Sequence, residues 1–154
     1  MPTVGDDVDI WPSPLYADIV DEFRRLARRK TSQYAGAQLD GSAFAILLTL
    51  SDGRARTLRE LSIDLELEQS TINRQVNAAI KHGFLERFEV TGQVSRLIRP
   101  TPAGQKAFHD DGMLRVDRLN RVFGDLSPGT PQALLRELRA YNDAYDRAVD
   151  DDTD

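Results

Sequence analysis

Residues 68–83 read EQSTINRQVNAAIKHG. Wound as a helix, they set Ile72, Val76, Ala79 and Ile80 on one stripe. Gln69, Ser70, Thr71, Asn73, Arg74 and Asn77 gather on the opposite, early-turn face. Amides, small hydroxyls and a guanidinium are the groups that read base edges and hold phosphates. Arg74 suits a bidentate pair with guanine, Asn73 or Asn77 a pair with adenine, and Ser70 and Thr71 a phosphate or a thymine methyl. A polar outer face is also what any amphipathic surface helix carries, so an assignment to duplex DNA depends on what surrounds the stretch.

Other chemistry lacks its materials. The chain has no cysteine, which removes disulfides, thiol redox and thiolate metal sites together. His82 and His109 stand apart without the converging ligands a metal needs, and Asp110 and Asp111 beside His109 do not complete a motif. No Ser/His/Asp arrangement, glycine-rich phosphate loop or carboxylate pair is present. No catalytic residue, metal site or cofactor is expected, and the chain does not read as an enzyme.

The elements that would present residues 68–83 follow from patterning. The 154 residues, 40% of them hydrophobic, suffice for one small domain with helical extensions. Residues 1–12 are acidic and proline-bearing and are expected to form a poorly ordered arm. Ser13-Pro14 is a cap followed by proline at the first helical position. From there Leu15, Ile19, Phe23 and Leu26 predict a helix to about Tyr34, closed at Gly36. Arg24, Arg25, Arg28, Arg29 and Lys30 gather in its last turns, as helix-end charges or as contacts to DNA backbone. A second helix, capped by Asp40, is expected to bury Phe44, Leu47, Leu48 and Leu50 and to stop at Ser51-Asp52-Gly53. Thr57-Leu58-Arg59-Glu60 has capping-box spacing and opens a short helix burying Leu58, Leu61 and Leu65. Glu66 and Leu67 then form a tight connection to residues 68–83, making a helix-turn-helix.

After Gly83 the period changes to two. Phe84–Val90 and Val94–Pro100 alternate around Thr91-Gly92-Gln93, predicting a hairpin, or wing, behind the recognition helix. Thr101-Pro102 begins a helix to about Phe123, with Gly112 as a point of bending, and Ser127-Pro128 begins another to about Val149. The expected fold is mainly α with a small β-hairpin, a winged helix-turn-helix over residues 36–101. Residues 13–35 and 102–149 form a helical dimerisation region, and 150–154 an acidic tail. Leu15, Ile19, Phe23, Leu119, Val122, Phe123, Leu138, Tyr141 and Tyr145 are more apolar surface than one small winged helix can cover.

This order of elements resembles the MarR family of bacterial transcription regulators. The likeness rests on Thr57-Leu58 with Leu61, Ser70-Thr71-Ile72 with Val76, Gly83-Phe84-Leu85-Glu86-Arg87 and Thr101-Pro102-Ala103-Gly104, covering residues 38–108. The resemblance implies a homodimer whose recognition helices lie about 34 Å apart, one DNA turn, on a near-palindromic operator. It also implies a possible small-molecule effector, often an aromatic acid in this family, though no pocket for it is legible here. Three departures stand out. The family's wing carries Asp-x-Arg where this chain has Gly92-Gln93-Val94, so Arg96 is the nearest substitute. Glu66 stands where the family's turn has glycine. Asp64, Glu66 and Glu68 place three acids beside the expected phosphate surface.

Charge distribution agrees with that reading better than the net charge of −5 does. Residues 54–106 hold nine Lys/Arg against six acids, a net +3 that leaves −8 on the flanks. Arg54 and Arg56, beside the capping Thr57, are candidate phosphate contacts. No apolar run is long enough to span a membrane, and residues 1–14 lack the pattern of a secretory signal, so a cytoplasmic protein is expected. The sequence therefore reads as a sequence-specific, double-stranded-DNA-binding regulator. The alternative is a winged helix used for protein–protein interaction, its acidic surface having abandoned DNA.

Overall fold

The computed structural model describes residues 12–29 and 34–153. Six helices surround one antiparallel hairpin: α1 Pro14–Arg28, α2 Gly41–Thr49, α3 Leu58–Asp64, α4 Gln69–Lys81, β1 Leu85–Phe88, β2 Leu97–Pro100, α5 Pro102–Gly124 and α6 Thr130–Asp151. The fold is the winged helix-turn-helix that the patterning predicts. The expectation of an irregular arm falls on residues 1–11, outside the described residues.

Helix α1 stops earlier than expected. It ends at Arg28, and residues 30–33 lie outside the described residues. Gly36 is not its stop. At φ +84° it occupies a separate turn, where the Ala37 N–H donates to the Tyr34 carbonyl at 3.0 Å. Pro14 sits in the first turn as expected, but Ser13 contributes no side-chain capping bond.

The core runs from Leu39 to Ala107 and is built around Ile46, Leu47, Leu61, Ile72, Val76, Leu85 and Ile98, each 2% exposed or less. In α2 the Asp40 carboxylate accepts the Ala43 N–H at 2.7 Å. Ile46 takes the central place, whereas Leu48, expected inside, is 55% exposed. Residues 43–48 are apolar on every side, so no period marks which face turns inward. The capping box of α3 forms as read: Glu60 N–H donates to Thr57 Oγ1 at 3.2 Å, and Thr57 N–H to Glu60 Oε2 at 2.7 Å. Leu61 is fully buried, with Leu58 and Leu65 packed at the core's edge.

The hairpin is shorter than predicted. Leu85 pairs with Pro100 and Phe88 with Leu97, four residues a side rather than seven. Beyond Phe88 the strands leave the core; Val90 and Val94 are exposed and find nothing to pack on. Gly92, at φ +86°, turns the tip. A third contact was not read from sequence: Arg56 and Ile98 exchange backbone bonds of 3.1 and 2.7 Å, adding a one-residue strand beside β2.

Gly104 lets α5 seat directly on the start of β1. A Cβ there would lie 2.0 Å from the Phe84 carbonyl oxygen. Thr101 stitches the same junction, its Oγ1 donating to the Gly83 carbonyl and accepting the Gly104 N–H at 3.0 Å. Gly112 does not interrupt α5, which is one 23-residue helix. Ser127-Pro128 does not cap α6. Thr130 N–H donates to the Ser127 carbonyl at 3.0 Å and Gly129 has φ +84° and ψ −10°, a type II turn ahead of a helix that starts at Thr130. Helix α6 then continues to Asp151, taking in the first residues assigned to the acidic tail.

Helices α1 and α6 bury no residue completely. They meet at Phe23 and Tyr141, whose ring centroids are 5.0 Å apart. Leu15, Ile19, Leu119, Val122, Phe123, Leu138, Tyr141 and Tyr145 are all exposed, and Phe23 is half-buried.

A candidate nucleic-acid interface

Burial of Ile72, Val76 and Ala79 fixes the roll of α4. At 100° per residue, Ser70, Arg74, Asn77 and Lys81 then form one outward ridge, all exposed. Lys81 belongs to this ridge although sequence reasoning passed over it; its steps of four, three and four from Ser70 were the available signal. Thr71 is half-buried. Asn73 turns to the opposite flank, where its Oδ1 accepts from Arg87 of β1 at 3.2 Å.

Gln69, at the start of α4, opens into a cleft of about 360 Å³ between the first turn of α3 and the hairpin. Arg59, Arg87 and Arg96 line it together with Thr57. Three guanidiniums around one groove beside a polar helix make a cradle for phosphate oxygens. Arg96 is also held by Glu89, with Nε and Nη2 each 3.1 Å from Oε1, which ties the two arms of the wing together. Arg59 and Arg87 were missed. Arg87 was legible in principle, because it lies two residues from the buried Leu85 and so shares the strand face turned toward α4.

Arg56 leaves the interface. It is 7% exposed, with Nη2 2.7 Å from Asp52, Nε 2.7 Å from Asp64 and Nη1 2.8 Å from the Thr49 carbonyl. A guanidinium held on three sides by its own chain and nearly closed off from solvent is not presented to a phosphate. Its bond, with that of the Arg54 N–H, pulls the Asp52 carboxyl down to about 2. Arg54 itself stays outside, its side chain 74% exposed and 3.5 Å from Asp52. The same network accounts for one of the three acids ahead of α4, since Asp64 is neutralised by Arg56. Glu66 and Glu68 have no such partner among the described residues. Glu66 adopts φ +51°, the left-handed conformation that glycine takes at no cost.

The remaining polar residues serve the scaffold. Asp111, 1% exposed, accepts the N–H groups of Gln38 at 3.0 Å and Leu39 at 2.7 Å, anchoring the segment before α2 to α5. Asp110 pairs with Lys106, and that bond holds its carboxyl below the usual range. His82 Nδ1 lies 2.8 Å from the Ala78 carbonyl, and its ring stacks with Phe84. Among the described residues no three His, Asp or Glu side chains converge as a metal would require, and no helix is long and apolar enough to cross a membrane.

No protein-family model and no curated protein matches the sequence. Solved structures do resemble it. A MarR protein from Peptoclostridium difficile is similar with a TM-score of 0.68 at 14% identity, over 96% of this chain and 97% of that one. A mutant MarR from E. coli complexed with operator DNA gives 0.61 at 18% identity, over 82% and 99%. BpsR of Bordetella bronchiseptica, whose DNA binding is regulated by 6-hydroxynicotinic acid, gives 0.65 at 19%, over 81% and 98%. At such identities the likeness establishes the fold, which is that of the MarR-type winged helix.

Proposed function

We propose that this chain is a MarR-family transcriptional regulator, a cytoplasmic homodimer that binds a near-palindromic duplex operator and responds to a small-molecule effector. The observation that carries the reading is the exposed ridge of Ser70, Arg74, Asn77 and Lys81, set beside a cleft with three arginines. A ridge of this kind enters the major groove with base-reading groups foremost, while the flanking cations meet the backbone. The E. coli protein complexed with operator DNA and the Bordetella protein regulated by an aromatic acid support the DNA and effector parts by likeness. The exposed apolar faces of α1, α5 and α6 support self-association. The role assigned to these surfaces is binding rather than catalysis.

The test is a mobility shift on the chain's own upstream DNA across a salt series. Binding should weaken steeply with salt, through counterion release. Arg74→Ala should cost about 1–3 kcal/mol of specific binding. Unchanged binding by that variant removes Arg74 from the base-reading set. Glu66 and Glu68, exposed and without a cationic partner among the described residues, favour the second reading, a protein–protein interaction module. Failure to retain the protein on heparin or random duplex at low salt would select it.

A further inference from the structure

We infer that Arg87 is a specificity-positioning residue: it holds the side-chain carbonyl of Asn73, so that Asn73 selects a keto base, guanine or thymine, over adenine or cytosine. The inference rests on the DNA-binding reading above and deepens it. The hydrogen bond runs from Arg87 Nη2 to Asn73 Oδ1 at 3.2 Å. A guanidinium can only donate, so this contact fixes which end of the amide faces the wing. The neighbouring carboxylate does not compete for Arg87, because Glu86 is engaged by Arg99 at 2.7 Å. Two positions on separate elements, one on α4 and one on β1, thus orient a single amide.

The consequence is chemical. Asparagine recognises adenine by accepting from N6 through Oδ1 while donating to N7 through Nδ2. With Oδ1 drawn toward β1 by a charged donor, the group left for a base is the Nδ2 amino group, a donor. In the major groove guanine presents N7 and O6 and thymine presents O4, all acceptors. Cytosine presents only an amino donor. Adenine presents N7 beside an amino donor, so the Nδ2 group gains at most one bond to adenine and meets a like group next to it. Arg87 itself need touch no base.

The experiment is selection from a pool of randomised duplex DNA by wild type, Asn73→Ala, Arg87→Ala and Arg87→Lys. The position whose preference Asn73→Ala erases should be guanine or thymine in the wild-type motif. Arg87→Ala should let the amide turn over and admit adenine there, with about a tenfold loss of discrimination. Arg87→Lys, which keeps a donor, should retain the keto preference. An adenine or cytosine at the Asn73-dependent position overturns the inference. So does an Arg87→Ala motif that keeps every base while affinity falls uniformly, the mark of a phosphate contact. Enrichment of no motif by the wild type, whose fold circular dichroism verifies, overturns the DNA reading and this inference with it.

Discussion

Two residues show opposite relations between type and role. Arg56 and Arg54 are both arginines beside Thr57, and composition alone treats them as equivalent phosphate contacts. The chain returns at Asp52 and Asp64 to enclose one and leave the other out. Asp52 and Asp64 lie only four and eight residues from Arg56, but it is the turn at Gly53 and the placement of α3 that close both carboxylates on Arg56. Removing Arg56 would leave those acids facing one another at the edge of the core. Arg56→Ala is therefore expected to cost about 2–3 kcal/mol in urea unfolding. The same network gives acid sensitivity. Asp52, ordinarily near 3.8 and here about 2, contributes stability that is complete above the ordinary value and disappears as pH falls through the lower one. Urea midpoints of the wild type should drop between about pH 5 and pH 2, and Arg56→Ala should flatten that drop. Glu66 was, by contrast, legible: a family resemblance expecting glycine there implies a left-handed residue, and φ is +51°. Glu66→Gly should raise stability by about 1 kcal/mol and strengthen retention on heparin, by relieving backbone strain and an acidic charge together. A stability gain without stronger retention would place Glu66 away from the anion-facing surface.

At the scale of elements, legibility followed contrast. Helices α3 and α4 alternate polar and apolar groups at helical spacing, and α3 carries a capping box, so their extents and buried faces emerged from sequence. Helix α2 is nearly all apolar, and its inward face could not be read; Leu48 was placed inside and Ile46 overlooked. The hairpin's strands were overextended because alternation persists to Val90 and Val94, past the point where the core ends. The arginine-lined cleft was only half visible. Gln69, Thr57 and Arg96 come from three elements; Arg59 shares the first turn of α3 with Thr57, and Arg87 joins them only once β1 docks on α4. Gly104, whose motif was noticed, has a steric purpose at the neighbouring contact of α5 with the start of β1. Gly104→Ala would drive a methyl group into the Phe84 carbonyl and should cost about 1–3 kcal/mol, visible as a lowered melting temperature. Unchanged stability would mean that α5 can slide off β1 without penalty.

For the whole molecule, the exposed apolar surface is what supports the proposed partner copy. Helices α1 and α6 touch at Phe23 and Tyr141, yet Leu15, Leu138 and Tyr145 remain exposed, which a solitary chain would not tolerate well. Leu138→Glu with Tyr145→Glu should convert a dimer to monomers in sedimentation and reduce operator affinity, since two half-sites would no longer be held together. A wild type that sediments as a monomer at micromolar concentration would count against the assembly. In the proposed dimer α5 becomes a lever. Its first turn is pinned to the wing by Thr101 and Gly104, and its last turns carry Leu119, Val122 and Phe123 toward the partner. Twenty-three unbroken residues make a rigid arm of about 34 Å, so a tilt of about 10° at the subunit contact swings the DNA-reading end by about 6 Å. A small molecule wedged at that fulcrum would not have to touch DNA to pull two recognition helices out of step with the grooves.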